Sequence, residues 1–120
     1  MANLFFSFPG ELQEATQLVF SVLGISSVKE GDSSNVLGGT YSVLSVLGFK
    51  IKLEPNSYDY EDQYNYMLSV SEDYLSRLEI DDEMVEAVAD VVAKLLSKNT
   101  SLEVAQEKDS GLIVYPVQNG

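Results

Sequence analysis

The chain has no cysteine, no histidine and no tryptophan, and only seven Lys and Arg residues. Without cysteine, disulfides, thiolate metal sites and cysteine nucleophiles are excluded. Without histidine, the commonest general base and the commonest zinc ligand are gone, and a Ser-His-Asp triad cannot be built. Long apolar runs are also missing, since none approaches the roughly 20 residues of a spanning helix. The N-terminal stretch MANLFFSFPGEL has no basic region ahead of its apolar run, which stops at Pro9-Gly10, so it does not read as a signal peptide. These absences lead to the expectation of a soluble, cytoplasmic protein.

What is present is globular in composition. The 120 residues are 45% hydrophobic and 22% charged, which suits one domain over 1–120 with its own core. The acids number 19, and the formal net charge is −12. Such a chain repels nucleic acid and anionic membranes and favours a basic partner. We therefore expect no direct nucleic-acid or membrane contact.

Hydrophobic patterning predicts two helices in a strand-rich chain. Residues 3–8, NLFFSF, read as a short strand ending at Pro9. Over 10–23, Leu12, Ala15, Val19, Val22 and Leu23 share one helical face, Glu11 and Glu14 sit in the first turn, and Gly24 fits the C′ position. Residues 25–30 are a weaker strand candidate, and GDSSNVLGG (31–39) has the composition of a loop. The stretch 40–54 reads as one long strand with a bulge or bend at Gly48, followed by a turn at Pro55-Asn56-Ser57 and a strand over 58–72, the two forming an antiparallel hairpin.

The clearest helix covers 81–98. Asp81 or Asp82 caps it, Met84, Val88, Val91 or Val92, and Leu95 form its buried stripe, Asp90 pairs with Lys94, and Asn99 ends it. Two tail strands, 102–107 and 111–117, are joined by the turn KDSG. The order β-α-β-β-β-α-β-β predicts an α+β fold, an antiparallel-rich sheet with helices on one face.

Charge is concentrated. Residues 54–90 hold twelve acids and one base, Arg77, so this third of the chain carries −11 of the −12. Charge runs are commonly just solvated faces that keep a protein soluble. Clustering them nevertheless costs stability through self-repulsion, and an even distribution would serve solubility as well.

Within the acidic segment, NSYDYEDQYNY (56–66) places Tyr58, Tyr60, Tyr64 and Tyr66 at even positions, in line with Leu68 and Val70, and Asp59, Glu61, Gln63 and Asn65 at odd ones. As a strand, it would carry tyrosines on one face and acids and amides on the other, with a bulge near Asp62. Tyr64 and Tyr66 then pack, while Tyr58 and Tyr60 anchor a partner. The expected partner-binding residues are Tyr58, Asp59, Tyr60, Glu61, Asp62, Asp81, Asp82 and Glu83.

Catalytic and metal signals are weak. Glu61-Asp62 and Asp81-Asp82-Glu83 supply carboxylates, but nothing places a pair across a cleft as a glycosidase needs. DYEDQYNYMLS lacks the glycine of a calcium loop, GDSSN reads as a surface loop, and Gly38-Gly39 lacks the lysine and spacing of a phosphate loop. We expect no cofactor, no metal and no enzymatic activity.

The run SSNVLGGTYSVLSVLGFKIKLEPNSYDYEDQYNYMLSVSED resembles the immunity proteins of bacterial contact-dependent growth inhibition systems, over roughly residues 5–98 and most strongly at 33–73. No short motif carries the likeness, so no residue role is transferred. The resemblance implies a small cytosolic protein that binds the toxic C-terminal domain of a cognate toxin. Many such toxins are nucleases, often acting on tRNA, whose basic clefts suit an acidic inhibitor. Two other readings compete: a regulatory or adaptor domain, with pairing as a homodimer through sheet edges as one form of it, and a carboxylate-based hydrolase.

Overall fold

A computed structural model describes residues 1–25, 28–33 and 39–117. The elements run β1 (Ala2–Phe6), α1 (Leu12–Val22), β2 (Lys29–Asp32), β3 (Thr40–Val46), β4 (Phe49–Pro55), β5 (Tyr66–Glu72), α2 (Asp82–Asn99), β6 (Val104–Lys108) and β7 (Gly111–Tyr115). The fold is α+β, as expected. The strands form a seven-stranded sheet in the order β2-β3-β4-β5-β1-β6-β7, with every neighbouring pair antiparallel.

Both helices cover one face of this sheet. Leu4, Phe6, Ile51, Leu53, Leu68, Val70 and Val104 point into the same core as Ala15, Val19 and Phe20 of α1 and Val85, Ala89, Val92 and Leu96 of α2. Alternation along each strand sends the intervening residues to the open face. Tyr66 belongs to the helix-covered face, stacking on Phe6 at 5.6 Å and donating its hydroxyl to Gly10 O at 2.7 Å. Burial, then the charges of Glu11 and Glu14, push its pKa up.

Helix ends follow their local chemistry. At the end of α1, Gly24 has φ +77°, its N–H reaches Ser21 O, and the Ile25 N–H reaches Phe20 O, which is the Schellman pattern. Asp81 caps α2 by accepting the Met84 N–H at 2.9 Å.

Four expectations change. The stretch 40–54 is two strands: it reverses at Leu47-Gly48, where both residues have positive φ, so Val46 pairs with Phe49. That is the geometry of a two-residue type I′ turn. Residues 58–65 are a loop, and the strand begins at Tyr66. The buried stripe of α2 is offset by about one residue, onto Val85, Ala89, Val92, Ala93 and Leu96, leaving Met84, Val91 and Leu95 exposed. The apolar side of this helix is wide, so period alone did not fix its rotation; Ala89, Ala93 and Ser97 are small buried side chains on the side facing the sheet. Finally, Asp90 makes its direct ion pair with Lys108 at 3.0 Å, across to β6, while the expected partner Lys94 contributes only a weaker electrostatic attraction. Within the expected loop 31–39, Gly31 and Asp32 extend β2, Ser33 N–H meets Gly39 O, and 34–38 lie outside the described residues.

Candidate partner-binding surfaces

The loop 56–65 is built around Asn56, which is buried. Its Nδ2 donates to Asp59 O and Tyr64 O, both at 2.9 Å, and its Oδ1 accepts the Tyr58 N–H at 3.0 Å. The loop is tied to the chain after β1 by Asn65, which exchanges two hydrogen bonds with the Phe8 backbone, and by Ser7 Oγ donating to Gln63 O. These bonds replace the ladder that a strand would have made, and Tyr60 takes φ +65° within the turn.

The tyrosines therefore separate. Tyr66 enters the helix-covered core, whereas Tyr64 and Tyr60 pack with Phe5, Met67 and Ala105 on the open face. Tyr60 lies edge-on to Phe5 at 5.4 Å. Burial, with Glu103 nearby, raises the Tyr64 pKa. Tyr58 is exposed, as are Asp59, Glu61 and Asp62.

Tyr58 and Asp59 form one wall of a groove of about 350 Å³ on the open face, with Phe5 and Met67 among the residues lining it. Glu54 is buried there, 3.7 Å from Lys52, whose ammonium lies 4.4 Å from the centre of the Tyr41 ring. Asn3 donates to Glu107 at 3.4 Å, while its buried Oδ1 accepts no hydrogen bond. Among the described residues, no three His, Cys, Asp or Glu side chains converge to hold a metal ion.

Asp81, Asp82 and Glu83 occupy the start of α2, exposed. The loop 56–65 springs from the Pro55/Tyr66 end of the β4–β5 pair, whereas Asp73, leading toward α2, follows the Phe49/Glu72 end. At ~3.3 Å per residue these ends are about 20 Å apart. Among the described residues, no hydrogen bond or ion pair joins the two groups. The loop nevertheless reaches back over the open face: Tyr58 and Asp59 share their groove with Lys50 and Ser71, and Tyr60 shares a shallow depression with Glu86, Met1 and Lys108. The acids thus divide into two patches by element, one on the loop 56–65 and one around the start of α2, and the depression shared by Tyr60 and Glu86 lies between them.

Three of its twelve acids are internally paired: Glu54 with Lys52, and Glu86 and Asp90 with Lys108. Lys108 has its pKa raised, first by the hydrogen bond to Glu86 at 2.7 Å and further by that to Asp90. Burial resists the charge on Asp90, but hydrogen bonds from Lys108 and Gln106 and the Lys108 charge outweigh it, leaving its pKa below the ordinary value. The other nine lie outside such pairs: Asp59, Glu61 and Asp62 in the loop, and Glu72, Asp73, Glu79, Asp81, Asp82 and Glu83 around the start of α2.

Sequence reasoning missed the apolar residues of the second patch. Tyr74, Leu75, Leu78 and Met84 are exposed there, beside the exposed Leu47 of the β3–β4 turn. Met84 belongs to the expected buried stripe of α2. The available signal for Tyr74, Leu75 and Leu78 was position: they fall between β5 and α2, where no strand or helix period runs.

No helix among the described residues is long and apolar enough to cross a membrane. No protein-family model matches the chain, and no curated protein or solved structure is significantly similar to it.

Proposed function

We propose that this chain is a non-catalytic inhibitor, an immunity protein that binds and neutralises a basic bacterial toxin domain of nuclease type in the cytoplasm. The observation that carries this reading is the segregation of unpaired acids. Nine of the twelve acids in 54–90 are left outside internal ion pairs and stand on two patches with a single base, Arg77, in the same segment. Concentrated negative charge raises the rate of encounter with a basic surface and disfavours acidic competitors. The nuclease character of the partner follows from the family resemblance together with this charge.

Co-expression with the toxin domain encoded beside its gene tests the proposal. Growth is expected to be restored by the chain, and continued killing at matched expression would refute the reading. The competing homodimer would use an edge strand such as β7, where Ile113 and Val114 are exposed. A concentration-independent monomer mass in light scattering would dispose of it.

A further inference from the structure

The partner-facing reading leaves open what holds the partner once charge has brought it close. Tyr60 is committed to Phe5, and Tyr58 stands alone as an exposed aromatic in its loop. The opposite end of the β4–β5 pair differs. The Asp73 N–H donates to Gly48 O at 2.9 Å, joining the β3–β4 turn to the segment that precedes α2. A methyl group at Gly48 would lie 3.1 Å from Leu78 Cδ1, so the turn and Leu78 are in near contact. Leu78 and Met84 line one depression with Glu72, Glu79 and Asp81. Leu75, 95% exposed, and Tyr74, 88% exposed, precede Leu78 in the same segment, and Leu47, 77% exposed, adjoins Gly48 in the turn.

Leu47 carries an independent sign. It occupies a type I′ turn with φ +54°, where Asn or Gly is the low-energy choice. A leucine held in that conformation and presented to solvent contributes little to the fold. Backbone outliers of this kind concentrate where function requires them.

We infer that Leu47, Tyr74, Leu75, Leu78 and Met84 form the anchoring surface for the partner, and that its occupant is an apolar protrusion bordered by Lys and Arg on the partner protein. The inference rests on the reading that the chain binds a basic protein, and it assigns that contact to this end of the sheet. Charge complementarity selects the occupant. Glu72, Glu79 and Asp81 line the depression with Leu78 and Met84, and Asp73, Asp82 and Glu83 adjoin them in the chain against a single base, Arg77, so apolar side chains stand among acids as in the polar-rimmed centre of a binding hot spot. A second copy of this chain would bring six acids against six of its own kind, which opposes self-association through the same surface.

The test uses a synthetic amphipathic peptide of Lys and Leu as probe, with a Glu and Leu peptide as control, followed by backbone NMR on the full chain. The Lys peptide is expected to shift amides at 46–48, 73–79 and 83–85 and the Glu peptide to shift none. Leu75→Ser with Leu78→Ser, both at exposed positions, is expected to weaken peptide binding at least tenfold. Leu47→Gly relieves the turn, so it serves as a variant that keeps the fold. Shifts confined to the 58–62 loop, unchanged affinity in the double variant, or a dimer joined through this surface would overturn the inference. In the co-expression assay, full protection by the double variant defeats the anchor alone, whereas no protection by the wild-type chain defeats the inhibitor reading instead.

Discussion

At the scale of single residues, Asn56 and Leu47 are opposite kinds of turn residue. Asn56 is buried and makes three hydrogen bonds that shape its loop. Asn56→Ala removes them and leaves buried backbone groups unpaired, with an expected loss of about 1–3 kcal/mol in urea unfolding. The same variant should loosen Tyr58–Asp62, seen as faster amide exchange. Leu47 runs the other way. Leu47→Gly removes a left-handed leucine, a conformation that costs on the order of 1–2 kcal/mol in a non-glycine residue. Stability should rise or hold, while partner binding weakens. Neither role was legible beforehand. Asn56 looked like an ordinary turn residue after Pro55, and Leu-Gly is not the pair that announces a type I′ turn.

At the scale of elements, α2 shows what pattern reading captures and what it loses. Its ends were legible because caps are local: Asp81 does accept from the Met84 N–H. Its rotation was not, because its apolar side is wide enough to include both Leu95 and Leu96, and only the sheet decides which part of it is buried. Leu96→Ala is therefore expected to cost about 2–5 kcal/mol, and Leu95→Ala far less, in paired denaturation curves. The loop 56–65 failed for a related reason. Alternating tyrosines mimic a strand, but the amides of Asn56 and Asn65 capture the backbone groups that a ladder needs.

The contact of α2 with β6 through Glu86, Lys108 and Asp90 has a pH signature. Asp90 is held below its ordinary value of 3.8, so its contribution is present above that pH and lost as pH falls through the lower folded-state value. Lys108 is held above 10.5, so its contribution is present below that pH and lost as pH rises through the higher folded-state value. Lys108→Met should destabilise the fold at neutral pH, change stability least in strong acid where Asp90 is protonated, and return the Asp90 pKa toward its ordinary value in an NMR titration.

At the scale of the whole molecule, the proposed function would divide the work of binding between the charge map and the fold. The total of −12 and its concentration in 54–90 are sequence facts, and the acidic rim at Asp81–Glu83 follows from the cap that places them. The anchor beside that rim was not legible, because apolar side chains such as Leu75 and Leu78 default to the core in any pattern argument. Only the packing of the β3–β4 turn against the segment before α2 leaves them outside. Steering by the loop acids is screened by salt, since the Debye length is about 8 Å at physiological ionic strength. Anchoring by apolar burial is much less so.

The most direct test is therefore kinetic: association and dissociation rates with the proposed partner, a basic toxin domain that the chain protects against on co-expression, measured at low and high salt. Asp59→Lys, Glu61→Lys and Asp62→Lys together should slow association and flatten its salt dependence, with dissociation little changed. Leu75→Ser with Leu78→Ser should leave association nearly intact and speed dissociation at least tenfold. Wild-type rates in both variants at both salt concentrations would contradict the account.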